Sequence, residues 1–208
     1  MTRVLYIKSS PRGDASASHR VANAYIDALY EREAVHLDTL DVWKEDLPAF
    51  DGAALEAKYA GLSGKKLTAE QQAAWQAIEK LGTRFRSADQ IVISVPMWNF
   101  GIPYRLKHLI DLVTQNGVTF RFSDGAFEGL LKTQRAVFIC ARGLGYGPGG
   151  ISEEQFDYQK THLTAWANFV GMSDVHSIRV EKTMLGLSEL DAAITAGISD
   201  AVALANRH

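Results

Sequence analysis

Three short stretches of this chain carry side chains and backbone groups that could hold a ligand. The run Pro96-Met97-Trp98-Asn99-Phe100-Gly101-Ile102-Pro103 sets two large aromatics and an amide on a stiff loop. Its glycine and two prolines forbid simple continuation of the apolar run Ile91-Val-Ile-Ser-Val95 before it, and Pro103 suits the first turn of a following helix. Such a ledge suits a planar aromatic cofactor, with apolar side chains to flank the ring and Asn99 plus backbone groups to address its heteroatoms. The plainer alternative is a loop whose aromatics only cap the core. The second stretch, Ser9-Ser-Pro-Arg-Gly-Asp-Ala-Ser-Ala-Ser18, has neither the glycine spacing of a dinucleotide fingerprint nor the lysine of a Walker loop. It is a hydroxyl-rich turn before a helix, where unpaired N–H groups and a partial positive charge favour a phosphate. Ser16 and Ser18 could add hydroxyl donors with the Ala17 N–H between them, and Ser10 could close the near side; N-capping is their ordinary role. The third stretch, Cys140-Ala141-Arg142-Gly143-Leu144-Gly145-Tyr146-Gly147-Pro148-Gly149-Gly150, lets backbone approach a flat ligand closely and offers consecutive N–H donors to its polar edge. A surface turn would look the same, and an exposed Arg142 would be solvated.

The elements that must position these stretches read as alternating strands and helices. Apolar runs at 4–7, 91–95, 136–141 and 175–180, with an alternating run at 34–40, predict five strands. Helical periodicity predicts helices over 18–32, 68–86, 103–114 and 152–170, and a terminal one from about Ser188. Thr68 with Gln71 three residues on is a capping-box signature. Residues 41–66 read as one long, mobile or functional loop. Two aromatic-rich halves around Ser123-Asp124-Gly125 predict a hairpin near 118–128. Strands separated by helices imply a doubly wound parallel sheet in one domain over 1–208, and in such folds ligands bind where the strands end. The three stretches then converge on one sheet edge.

Composition narrows the function classes. With 208 residues, 47% hydrophobic and 22% charged, the chain has ordinary globular values. A net charge of −2 gives no pull toward nucleic acid or anionic membrane. No apolar stretch reaches the roughly 18 residues that span a bilayer. One cysteine makes no internal disulfide, and a first strand entered by Val4 leaves no room for a leader, so the expectation is a cytoplasmic protein. Cys140 reads as a buried small hydrophobe, and histidines 19, 36, 108, 162, 176 and 208 form no close metal pair, so no metal site is expected. His162 reads as packed, solvated or lining a pocket.

The chain resembles the FMN-dependent NADH-azoreductases, a branch of the flavodoxin-like NAD(P)H:quinone reductases. The resemblance runs almost end to end: Lys8-Ser9-Ser10, Ser16-Ala17-Ser18, the run from Met97 to Pro103, Leu106-Lys107, Ile110-Asp111, Gly117-Val-Thr-Phe120-Arg-Phe122 and Ala141-Arg142-Gly143. Asn99-Phe-Gly-Ile-Pro103 is the most specific of these. Relatives usually carry two glycines after the arginine, where this chain has Gly143 and Leu144. The resemblance implies a flavodoxin-like strand order 2-1-3-4-5. It also implies FMN as cofactor, with NADH or NADPH as electron donor and a quinone or azo compound as acceptor, reduced in ping-pong fashion. It assigns the flavin to Ser10, Ser16, Ala17, Ser18, Met97, Trp98, Asn99, Phe100, Ala141, Arg142, Gly143 and Leu144. Asn99, Phe120 and Phe122 fall to the acceptor, with Phe120 reaching it across a homodimer interface. No catalytic acid or base is required of the protein, since the flavin carries the chemistry. The 103–114 helix, with an apolar stripe at Tyr104, Leu106, Ile110 and Val113, is the expected interface. An electron carrier and an FMN-binding sensor without turnover are the alternatives; carriers tend to be shorter and strongly acidic.

Overall fold

The computed structural model describes residues 1–148 and 150–207; Gly149 and His208, both named above, lie outside the described residues. Five strands form one parallel sheet: β1 (Thr2–Lys8), β2 (Val35–Asp41), β3 (Gln90–Pro96), β6 (Arg135–Ala141) and β7 (Asp174–Val180). Their order is β2-β1-β3-β6-β7, which, leaving the hairpin uncounted, is the expected 2-1-3-4-5. The register pairs Ile7 with Ile93 and Val95 with Cys140, so Lys8, Pro96 and Ala141 end at one edge. β3 and β6 are buried on both faces, which is why they read as continuous apolar runs rather than alternating ones.

Helices cover both faces. On one side α1 (Ala17–Arg32) and α7 (Leu187–Ala205) bury Val21, Tyr25, Leu29, Ile194 and Leu204 against Tyr6, Val137 and Ile139. On the other, α3 (Ala69–Ser87), α4 (Tyr104–Val113) and α6 (Tyr158–Phe169) bury Ile78, Phe85, Leu109 and Leu163 against Ile91, Ile93 and Phe138. α3 begins with the anticipated reciprocal cap: the Gln71 N–H donates to Thr68 Oγ1 at 3.2 Å, and the Thr68 N–H donates to Gln71 Oε1 at 3.0 Å. None of the described helices is long and apolar enough to cross a membrane.

Three expectations about elements need correction. Residues 41–66 contain α2 (Gly52–Leu62), an Ala-rich helix that buries Ala54 and Ala57, and the segment before it is clamped by Arg105, which donates to the carbonyls of Val42 (2.7 Å) and Glu45 (3.0 Å). The helix expected over 152–170 is broken at Asp157 into α5 (Glu153–Phe156) and α6, because the Asp157 carboxylate caps the Lys160 N–H at 2.8 Å and turns the chain. The apolar stripe of α4 is not free: Leu106, Ile110 and Val113 are buried in this chain's own core, and only Tyr104 is exposed.

The hairpin forms from β4 (Phe120–Ser123) and β5 (Ala126–Gly129). Asp124 and Gly125, both left-handed at φ 54° and 78°, make its two-residue turn. Its base is tied to the edge where the strands begin: Arg86 donates to the Val118 carbonyl at 2.7 Å and the Leu131 N–H to that of Val170 at 2.8 Å.

Candidate cofactor site

At the other edge, the loops leaving β1, β3 and β6 are stitched together by backbone. The Ser9 N–H donates to the Ser94 carbonyl at 3.2 Å, and the Met97 N–H to that of Ala141 at 2.7 Å. A one-turn 3-10 helix, Gly13–Ala15, leads into α1. Ser16 holds the N-cap position, yet its side chain caps nothing; its hydroxyl faces that of Ser18 at 3.1 Å, both buried. Among the described residues the N–H groups of Ala17 and Ser18 reach no acceptor. Two hydroxyls and two unspent N–H groups at a helix start form an anion cradle, a stronger arrangement than the capping that the same serines ordinarily perform. Ser10 lies buried beside them and accepts the Arg12 N–H at 3.3 Å.

His19, which the sequence reading left aside, completes this turn. In the tautomer with its proton on Nδ1 it donates to the Gly13 carbonyl at 2.9 Å, fastening the 3-10 turn to α1. Burial, then the positive charge of Lys8, hold its imidazole below the ordinary histidine range, and its Nε2 meets no partner. The signal for it was its place one residue after Ser18.

The loop after β3 is a tight, strained turn. Trp98 and Gly101 exchange N–H···O bonds of 3.1 and 3.0 Å, and the two residues between them, Asn99 and Phe100, are left-handed at φ 45° and 69°. Asparagine tolerates that region; phenylalanine does so at a cost, and such strain gathers at functional sites. Trp98 meets Trp43 with centroids 5.6 Å apart and rings tilted by 48°, Trp43 donates to the Ser9 carbonyl at 3.0 Å, and Phe100 meets Phe156 at 5.0 Å. The aromatics are thus held from both sides while Asn99 stays at the tip, exposed.

After β6 the glycine loop offers its own donors: the N–H groups of Gly143 and Leu144 reach no acceptor among the described residues. Arg142 is not the solvated cation of the alternative reading. It is buried, pairs with Asp157 at 3.0 Å and Glu181 at 3.8 Å, and lies 4.4 Å over the Tyr146 ring. Asp157, at the break between α5 and α6, therefore both starts a helix and pins the loop. Cys140 is fully buried, and burial pushes its thiol up to about 12, so it stays protonated.

Phe120 and Phe122 are not brought to these loops within one chain. They pack with Phe127 and Phe169 and border a separate cavity of about 750 Å³ beside Trp75 and Asn116. Next to the Asn99 turn, a cleft of about 1020 Å³ runs from Gly101 and Ile102 along Tyr104, His108, Tyr158 and His162. His162 lines this cleft, and burial lowers its pKa. Among the described residues no group of three or more His, Cys, Asp or Glu is placed to hold a metal ion.

Comparison with known proteins bears on what the cradle takes. Residues 2–204 match the family described by its flavodoxin-like fold. The FMN-dependent NADH:quinone oxidoreductase 9 of Burkholderia lata is 49% identical over 189 residues, covering 89% of this chain and 90% of that protein. The FMN-dependent NADH:quinone oxidoreductase 2 of Pseudomonas syringae pv. tomato is 45% identical over 203 residues, 97% of each. A solved FMN-dependent NADH-azoreductase from Bacillus anthracis, in complex with FMN, superposes with a TM-score of 0.85 at 27% identity, covering 99% of this chain and 100% of that one.

Proposed function

Since the chain belongs to the flavodoxin-like fold family, among relatives that are FMN-dependent NADH:quinone oxidoreductases, we propose that it is an FMN-dependent reductase. Its donor is NADH, with NADPH as the variant to be compared, and its acceptors are quinones and aromatic azo compounds. The observation that carries this reading is the pairing of unspent donors at two ends of one stitched edge: hydroxyls and N–H groups at Ser16–Ser18, and N–H groups at Gly143 and Leu144. The first set fits a single phosphate and the second the polar edge of a flat ring, as a flavin mononucleotide requires. When bound, FMN supplies two-electron transfer between NADH and the acceptor.

The chain's own residues bind and orient. Ser16, Ser18 and the N–H groups of Ala17 and Ser18 hold the phosphate, with Ser10 on the near side. Met97, Trp98, Asn99 and Phe100 give the ring a rigid ledge, since the exchanged Trp98–Gly101 bonds fix their backbone. Ala141, Arg142, Gly143 and Leu144 meet the ring's polar edge, where preorganised donors favour developing negative charge. Asn99 also faces the acceptor. Donor and acceptor use one face in turn, which gives ping-pong kinetics. Phe120 and Phe122 serve a second copy's site in a homodimer, and the enzyme works in the cytoplasm as one domain.

The test is anaerobic mixing of the FMN-loaded chain with NADH, then with excess quinone. Flavin absorbance should bleach rapidly and return, and steady-state double-reciprocal plots at several NADH concentrations should run parallel. Slow bleaching by both NADH and NADPH would instead favour an electron carrier or a sensor.

A further inference from the structure

A fourth loop reaches the same edge, and nothing above assigns it a role. After β7 the chain runs Glu181-Lys182-Thr183-Met184-Leu185-Gly186-Leu187. It continues the pairing of β6 with β7 beyond the sheet: the Thr183 N–H donates to the Arg142 carbonyl and the Met184 N–H to that of Gly143, each at 3.2 Å. The Thr183 hydroxyl adds a bond to the Arg142 carbonyl at 3.1 Å. Lys182, left-handed at φ 62°, turns the loop over the glycine stretch. A side chain at Gly143 would stand 2.5 Å from the Met184 sulfur, and one at Gly145 would stand 3.3 Å from the Lys182 side chain. The glycines thus make room for this loop as well as for a ligand.

The loop presents apolar side chains to solvent where a soluble surface normally presents polar ones. Met184 is 81% exposed, Leu187 79% and Leu144 47%. Leu144 stands where the resembled family carries glycine, so the apolar group is an addition to the ring end of the site. Met184 lies against Gly143, the chain neighbour of Leu144, and Leu187 follows three residues on; exposed large aliphatics so placed mark a surface that meets an apolar partner. Methionine is suited to that use, because its unbranched, polarizable side chain adapts to irregular aliphatic shapes.

We propose that Met184, with Leu144 and Leu187, forms an apolar lip at the ring end of the site, selecting acceptors whose quinone ring bears an aliphatic substituent. This rests on the FMN reductase reading. The quinone ring would stack on the open face of the bound flavin, beside Asn99, and its chain would leave across Gly143 onto Met184.

Two measurements on the FMN-loaded full chain test it. The first compares kcat/KM for benzoquinone and for the same quinone carrying a decyl chain. Met184→Ser should lower the decyl-to-plain ratio about tenfold, the discrimination that a few apolar contacts give, and Met184→Leu should keep it. The second involves no turnover. The chain has four methionines, so a spectrum of ¹³C-methyl-labelled methionine is simple, and the Met184 signal is the one lost in Met184→Leu. Without NADH, that signal should move on adding decylquinone and stay on adding benzoquinone. A ratio unchanged in Met184→Ser, or a signal that moves with protein concentration and not with decylquinone, would overturn the lip; in the latter case the cluster is covered by a second copy. If the wild-type chain reduces neither quinone while the signal still follows the decyl compound, the reductase reading fails and the apolar site stands.

Discussion

Ser16 and Ser18 direct their hydroxyls at each other rather than at the helix they begin, which is an arrangement poised for an anion between them. Charge-assisted hydrogen bonds to phosphate are worth roughly 1.5–3 kcal/mol each. Replacing both serines with alanine should weaken FMN binding by about a hundredfold or more in a fluorescence titration, with turnover per bound flavin nearly intact. Asn99→Ala should do the converse, retaining FMN while slowing reduction of the flavin or of the acceptor. If the serine pair halts chemistry at saturating FMN, these roles are misassigned. His19 adds a pH dependence. Burial and Lys8 lower its folded pKa, so between that value and the ordinary 6.5 the unfolded chain binds the extra proton. Its contribution to stability is therefore present above about 6.5 and lost as pH falls through the lowered value. Urea unfolding of the apoprotein from pH 7 to pH 5 should show that loss, and His19→Gln should reduce it, leaving the part that His162, lowered likewise by burial, contributes.

The junction of α5 and α6 shows what one carboxylate can do for two elements. Asp157 caps α6 through the Lys160 N–H and holds the buried Arg142 guanidinium at 3.0 Å. Removing one partner of a buried pair costs about 3–5 kcal/mol, so Asp157→Asn should lower unfolding stability by about 3 kcal/mol in urea titration, even though the amide can still cap the helix. A loss below 1 kcal/mol, as for an exposed pair, would show that Arg142 finds other partners. This junction was illegible in the sequence. Helical periodicity runs through 152–170 without a glycine or proline to break it, and the break rests on Asp157, which caps the Lys160 N–H and pairs with Arg142 of the preceding loop, a contact that periodicity does not report. The five strands were legible because β1, β3 and β6 are apolar on both faces, and the hairpin because Asp124-Gly125 permits a positive-φ turn. α2 was missed because Gly52, Gly61 and Gly64 mask the Ala-rich turns that pack on α3. The site loops were legible as residue types, but the strain at Asn99 and Phe100 and the unspent N–H groups follow from backbone conformation, which composition does not report.

At the scale of the molecule, the exposed Tyr104 and Tyr158 border the cleft of about 1020 Å³ beside the Asn99 turn. Such a face is completed by a second copy in the proposed homodimer. Sedimentation at micromolar concentration should give a dimer, and Tyr104→Glu should shift it toward monomer with loss of activity; a fully active monomer would refute the assignment. The hairpin carries a further consequence. Its base is fastened to the far edge of the sheet, and the cavity that Phe120 borders is lined by none of the described residues of its own chain's loops after β1, β3 and β6. Two copies that exchange this hairpin's service would each depend on the other's genotype. A chain lacking Ser16 and Ser18 hydroxyls and a chain lacking the Phe120 ring would both be poor at limiting FMN. Mixed and allowed to reassort, they would assemble one wholly intact site in every hybrid, restoring about a quarter of wild-type activity by random pairing. Rescue of one defective copy by another, differently defective one is the behaviour of intragenic complementation.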